Sequence, residues 1–227
     1  MTHGAVTVPS LRGRKRRNGD TPIVMVTAYD EPGARIVSEA GVDIILVGDS
    51  VANNVLGYED TLHVDIDVMA HHTAAVARAK PRCLILGDMP WMSYHLSPEE
   101  AVRNAATLIR AGAAALLDAA KALSVAGCFA FVIEGVPDVV GAKVTEAVDV
   151  PTIGIGAGPA CDGQVLVFHD LLGLGAGKPP KFVRQYADLG RIATEAVAAF
   201  AADVRSGAFP SDSETYHAPE GLSDALD

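Results

Sequence analysis

The sequence predicts an α/β domain built on a parallel sheet, and three observations carry that prediction. From Thr21 onward short β-rich runs alternate with helical patterns. The runs are continuously apolar. Two of them, DIILVGDS (Asp43 to Ser50) and CLILGDMP (Cys83 to Pro90), end on the same Gly-Asp pair. Alternation of strand and helix is the signature of βα units. Strands that are apolar throughout are covered on both faces, as in a (β/α)8 barrel or a doubly wound sheet. In either architecture the functional groups gather at the carboxyl ends of the strands, which is where both Gly-Asp pairs fall.

Each element has a local reason. IVMVTAYD (23 to 30) reads as the first strand, and EPGARIVSEAG as a helix closed by Gly41. DIILVGDS is the second strand, followed by a long polar loop, VANNVLGYEDTLHV. Asp65 is placed to cap the next helix, which runs through MAHHTAAVARA. CLILGDMP is the third strand. Ser97-Pro98-Glu99-Glu100 then combines a cap, a proline at the first turn and acids at the positive end of the helix dipole. AAALLDAAKALSVAG offers a strand stub and then a helix ending at Gly127. CFAFVIEG (128 to 135) is a strand, VPDVVGAKVTEAV a helix, PTIGIGAG (151 to 158) a strand and QVLVFHDLLGL a short last strand holding a packed His169. A helix from about Lys181 to Val204 closes the body. The expected division is a basic, solvated N-terminal arm (1–20), a barrel domain (21–210) and a polar C-terminal tail (211–227).

Composition narrows the class. A chain of 227 residues, 49% hydrophobic, can bury a large single core. Its net charge of −10, spread along the chain, argues against nucleic acid as a partner. Arg12, Arg14, Lys15, Arg16 and Arg17 are confined to the arm. No apolar stretch reaches the roughly 18 residues that a membrane span needs. The head MTHGAVTVPSLRGRKRRNGD lacks the apolar segment of a secretory signal. Cys83, Cys128 and Cys161 are far apart with no CxxC, which fits a reducing compartment; a cytoplasmic location is expected.

The chemistry is read from the strand ends. Asp49, Asp88 and Glu134 each terminate an apolar run, so parallel strands bring all three carboxylates to one mouth. Three acids without matching basic residues repel one another unless a cation or proton intervenes. Carboxylate oxygens without cysteine or a histidine cluster suit a hard ion such as Mg²⁺. Glu134, ending a run of Phe, Val and Ile, is the best general base. Two other features read as structural. GIGAGP (154 to 159) lacks the full dinucleotide fingerprint and reads as a tight turn beneath a pocket. In the group His63, Asp65, Asp67, His71 and His72, the acids suit a helix start and the histidines its solvated face.

Taken in order, TAYD, GVDIILVGDS, LGYEDTL, DMPWMSY, SPEEAVRNA, FVIEGVP, PTIGIGAGPACDGQVLVFHDLLGL, KFVRQYADLG and VRSGAFP resemble the ketopantoate hydroxymethyltransferase family, from about Arg12 to Pro210. The resemblance implies a (β/α)8 barrel, a homo-oligomer of ten subunits and a step of pantothenate biosynthesis. In that step a hydroxymethyl group passes from 5,10-methylenetetrahydrofolate to 3-methyl-2-oxobutanoate, giving 2-dehydropantoate through a Mg²⁺-stabilised enolate. It further implies that Asp49 and Asp88 are metal ligands, that Asp49, Ser50 and Asp88 contact the oxo acid, and that Glu134 is the catalytic acid/base. It identifies no folate-binding residues. After AGAAAL the family continues with a strand carrying VKLEG and a further βα unit, whereas this chain passes from Leu116 to Leu117 and Asp118. The barrel is therefore expected to be incomplete near 116–117, with strand four truncated and strand five absent. A Lys, a Glu and a His of the family's site have no counterpart. Two alternatives follow: a non-catalytic family member, or another Mg²⁺-dependent lyase or transferase working through a 2-oxo acid enolate.

Overall fold

The computed structural model describes residues 5–117, 128–175 and 177–217. Among the described residues there are seven strands: β1 (Ile23–Thr27), β2 (Ile44–Val47), β3 (Leu84–Asp88), β4 (Ala115–Leu117), β5 (Phe131–Glu134), β6 (Thr152–Ile155) and β7 (Gly163–Leu166). They form one sheet in the order β4-β3-β2-β1-β7-β6-β5, and every pairing is parallel. Neighbours in the sheet are neighbours in sequence, except that β1 pairs with β7. Among the described residues this is the strand order of a curled, barrel-like sheet whose two edges are β4 and β5, and not the reversing order of a doubly wound sheet.

The pleat sorts the apolar residues. Ile23, Met25, Ile44, Leu46, Leu84, Leu86, Ile153 and Val165 pack together on the inner face, with Leu11 joining them from the N-terminal arm. Val26, Ile45, Val47 and Ile85 point outward, against Val37, Met69, Val76 and Leu108 of the surrounding helices. The sequence shows a continuous apolar run because each strand supplies both layers.

The helices are α1 (Val8–Leu11), α2 (Glu31–Glu39), α3 (Ile66–Arg78), α4 (Pro98–Ala111), α5 (Asp138–Ala147), α6 (Phe168–Leu172) and α7 (Leu189–Ser206). Asp30 caps α2 by accepting from Gly33 N at 2.8 Å. Asp65 accepts from Asp67 N and Val68 N at 3.1 and 3.0 Å, and Ser97 accepts from Glu100 N at 3.1 Å. Gly112, at φ 112°, ends α4 in the left-handed region. Among the described residues no helix is long and apolar enough to cross a membrane.

Four expectations change. The basic arm is not solvated along its length. Lys15 is 2% exposed, and its Nζ reaches Asp162 Oδ2 at 2.7 Å, Thr145 O at 2.9 Å and Val150 O at 3.1 Å. Arg14 pairs with Asp43 and Arg17 with Asp149, so the arm is bound across the amino ends of the strands. His169 lies in α6, because the last strand stops at Leu166 and Val167 opens a helical turn. The closing helix starts at Leu189, eight residues later than Lys181. Before it the chain is held by Val183 N to Pro180 O and Tyr186 N to Leu171 O bonds. The polar loop after β2 contains a π-helical turn (Ala52–Leu56) and a 3₁₀ turn (Thr61–His63). The strand stub is β4; the helix expected to end at Gly127 lies outside the described residues.

Candidate active site

Because all seven strands are parallel, their carboxyl ends share one mouth. Asp49 follows β2 by two residues, Asp88 is the last residue of β3, and Glu134 is the last residue of β5. All three line one cavity of about 360 Å³, with Ser50, Thr61 and Thr27. Leu46, Val132, Ile155 and Val165 form its apolar floor, so the barrel interior ends where the polar site begins. The sequence had placed Asp49, Ser50, Asp88 and Glu134 together, and the structure brings all four to this cavity.

The electrostatics are those of crowded acids. Burial, then the charge of Asp49, pushes the Asp88 carboxyl up to about 7, with Glu134 adding to the rise. The Asp49 N–H donates to Asp88 Oδ2 at 3.1 Å and offsets part of it. Burial also raises Asp49, against a hydrogen bond from Thr61. Glu134 is raised by burial and by Asp49. None of the described residues lining the cavity is Lys or Arg, so the repulsion has no internal counter-charge.

Those features fit a hard cation bound by few protein ligands. Among the described residues no three His, Cys, Asp or Glu side chains are grouped closely enough to hold an ion by themselves. A hard ion held by Asp49 and Asp88 alone would leave most coordination positions to water or substrate, a pattern that suits Mg²⁺.

Sequence reasoning missed two hydroxyl residues, Tyr29 and Thr61. Tyr29, 3% exposed, places its Oη 2.8 Å from Ser50 Oγ, and burial pushes its phenol up to about 12. Thr61 reaches Asp49 from the loop after β2. Both stand in motifs that carried the resemblance, TAYD and LGYEDTL, yet neither residue type announces a role without a neighbour. The remaining candidates take structural parts. Asp65 caps α3, His63 Nδ1 lies 2.9 Å from Asp60, and His72 Nδ1 donates to Tyr29 O at 2.7 Å. The GIGAGP segment makes the turn after β6, with Gly156 and Gly158 at φ 61° and 83°, and only its Ile155 lines the cavity.

Fold and site together define an α/β protein of the TIM-barrel type with an acidic centre at the carboxyl ends of its strands. Its overall fold is similar to that of a Burkholderia cenocepacia J2315 protein whose lyase/mutase assignment is itself provisional. The two share a TM-score of 0.53 and 14% identity, covering 86% of this chain and 90% of that one. The family model described as ketopantoate hydroxymethyltransferase matches residues 5–117 and 110–212, and the chain belongs to that family. The 3-methyl-2-oxobutanoate hydroxymethyltransferase of Koribacter versatilis is 44% identical over 268 residues, covering 95% of this chain and 90% of that protein. The protein of the same name from Pyrobaculum calidifontis is 45% identical over 253 residues, covering 88% of this chain and 95% of that protein.

Proposed function

We propose that the chain transfers a hydroxymethyl group from 5,10-methylenetetrahydrofolate to 3-methyl-2-oxobutanoate, forming 2-dehydropantoate for pantothenate synthesis. The observation that carries the reading is the convergence of Asp49, Ser50, Asp88 and Glu134 on one cavity in a member of this family. Asp49 and Asp88 would hold Mg²⁺. When bound, the ion supplies a positive charge beside the keto oxygen and stabilises the negative charge that builds there as the C3 proton leaves. Glu134 takes that proton. Its carboxylate is a stronger base than an exposed glutamate because burial and Asp49 disfavour its charge. Ser50 donates a hydrogen bond to the oxo acid, and Thr61 steadies Asp49. The apolar floor from Leu46 and Val132 receives the branched carbon end of the substrate.

A second reading, a family member without turnover, is favoured by one feature. The alignment to the Koribacter protein runs over 268 residues against 227 in this chain, so that relative carries residues with no partner here. The family match divides at 110–117, and among the described residues β4 and β5, on either side of the same point, are the two edge strands of the sheet. We infer that a βα unit is missing there. Exchange of the C3 proton of 3-methyl-2-oxobutanoate in deuterated water with Mg²⁺, followed by proton NMR, separates the readings. Exchange by the full chain that disappears in Glu134→Gln, with Mg²⁺-dependent oxo-acid binding retained, supports the transferase. Binding without exchange in the unmodified chain supports the second reading.

A further inference from the structure

A line of buried hydroxyls runs along the cavity wall, with Thr27 and Ser50 bordering the cavity and Tyr29 behind them. The Phe168 N–H donates to Thr27 Oγ1 at 3.0 Å, and the Thr27 side chain acts on the Tyr29 phenol as a donor that lowers its pKa, against the larger rise from burial. Tyr29 Oη in turn lies 2.8 Å from Ser50 Oγ, which borders the cavity. Thr27 is 2% exposed and Tyr29 3%, so water does not compete for the Tyr29 hydroxyl. Both ends of the Tyr29–Ser50 pair are pinned. The His72 Nδ1–H donates to Tyr29 O at 2.7 Å, and Asn54 Nδ2 donates to Ser50 O at 2.9 Å.

Hydroxyl chains can run in two directions, and the groups at the ends select one. A backbone N–H can only donate, so Phe168 takes up accepting capacity on Thr27 and frees the Thr27 hydrogen for Tyr29. At the far end Asp49 and Asp88 line the same cavity as Ser50, and their negative charge draws a hydrogen toward it. Phe168, Thr27, Tyr29 and Ser50 then donate in that order, and the last hydrogen faces the cavity.

We propose that Tyr29 is a positioning residue for the candidate active site: by donating to Ser50 Oγ it aims the Ser50 hydroxyl hydrogen into the cavity, toward an anionic oxygen of the 2-oxo acid. The inference rests on the reading of the cavity as an oxo-acid site. It gives Tyr29 and Thr27 a role in affinity without contact between Tyr29 and the substrate.

The test is a double-mutant cycle on the full chain, with calorimetric titration of 3-methyl-2-oxobutanoate at saturating Mg²⁺. Tyr29→Phe keeps the ring and removes the donor, and weakens binding about 3- to 12-fold, the loss expected for a hydrogen bond between neutral groups. In a Ser50→Ala background the same change has less than about a twofold effect, because its target is gone. Thr27→Val weakens binding in the same direction and Thr27→Ser restores it, which keeps the test open if the tyrosine variant folds poorly. Equal binding by the unmodified chain and Tyr29→Phe overturns the inference alone. So does a Tyr29→Phe loss that is as large without Ser50 as with it, since Tyr29 would then act through the scaffold. No oxo-acid binding by the unmodified chain overturns the functional reading and this inference together.

Discussion

Replacing Lys15 by Met tests whether the basic arm is part of the folded body. The ammonium of Lys15 has three hydrogens and three acceptors: Asp162 Oδ2 at 2.7 Å, Thr145 O at 2.9 Å and Val150 O at 3.1 Å. Asp162, 1% exposed, also accepts from Arg16 N at 2.9 Å and Thr152 N at 3.0 Å. Methionine fills the same channel but leaves the carboxylate buried without its counter-charge. Removing one member of a buried pair costs about 3–5 kcal/mol. For a chain of this size each kcal/mol moves Tm by about 2–4 °C, so the variant melts roughly 10 °C lower. Urea unfolding at pH 7 measures the free energy, and thermal unfolding the midpoint. A second variant, Lys15→Met with Asp162→Asn, removes the orphaned charge and recovers about 1–2 kcal/mol.

The pH dependence of the same pair has a definite sign. Burial alone would raise Asp162, but the hydrogen bond from Lys15, with those from Thr152 N and Arg16 N, holds its carboxyl below the ordinary value. Its contribution is therefore present above the unfolded pKa of about 3.9 and is lost as pH falls through the lower folded value. In Lys15→Met that carboxylate is desolvated and gains from protonation, so the gap between variant and unmodified chain narrows as pH falls from 7 toward 3. A Lys15→Met chain as stable as the original at pH 7, or a double variant no better than the single one, refutes the reasoning.

Three further outcomes are expected. The Asp88 carboxyl, raised to about 7, binds its proton more tightly folded than unfolded, so the folded state loses stability as pH rises from about 4 to 7. Asp88→Asn therefore stabilises the metal-free protein at pH 8, with a ceiling of about 4 kcal/mol, and has little effect at pH 4. It also removes Mg²⁺-dependent stabilisation; an equal effect at both pH values, or an unchanged Mg²⁺ titration, contradicts the assignment. In Gly141→Ala a new Cβ falls 2.2 Å from Ala157 O, so α5 must lift off the turn after β6 at a cost of about 1–3 kcal/mol. An unchanged thermal midpoint there disproves the close approach. Asp65→Ala removes the acceptor for two N–H groups of α3 and lowers stability in urea by about 1 kcal/mol, and Asp65→Asn recovers most of it.

The amino-acid order alone determined which segments are strands, because a buried strand needs an apolar run and a break after it. Six runs and a stub became the seven strands. It also determined that Asp49, Asp88 and Glu134 share a mouth, since parallel strands leave their last residues on one side whatever the fold's closure. The tertiary structure decided what depends on distance through space. Lys15 is one of several basic residues in the arm, and nothing local separates it from Arg12. Its burial depends on Asp162, which is distant in sequence and immediately precedes β7. The pairing of Tyr29 with Ser50 likewise exists only because β1 and β2 lie side by side, bringing the turn after one strand against the turn after the next. Periodicity reports the face a residue occupies, whereas the partner it meets is set by the strand order of the whole sheet.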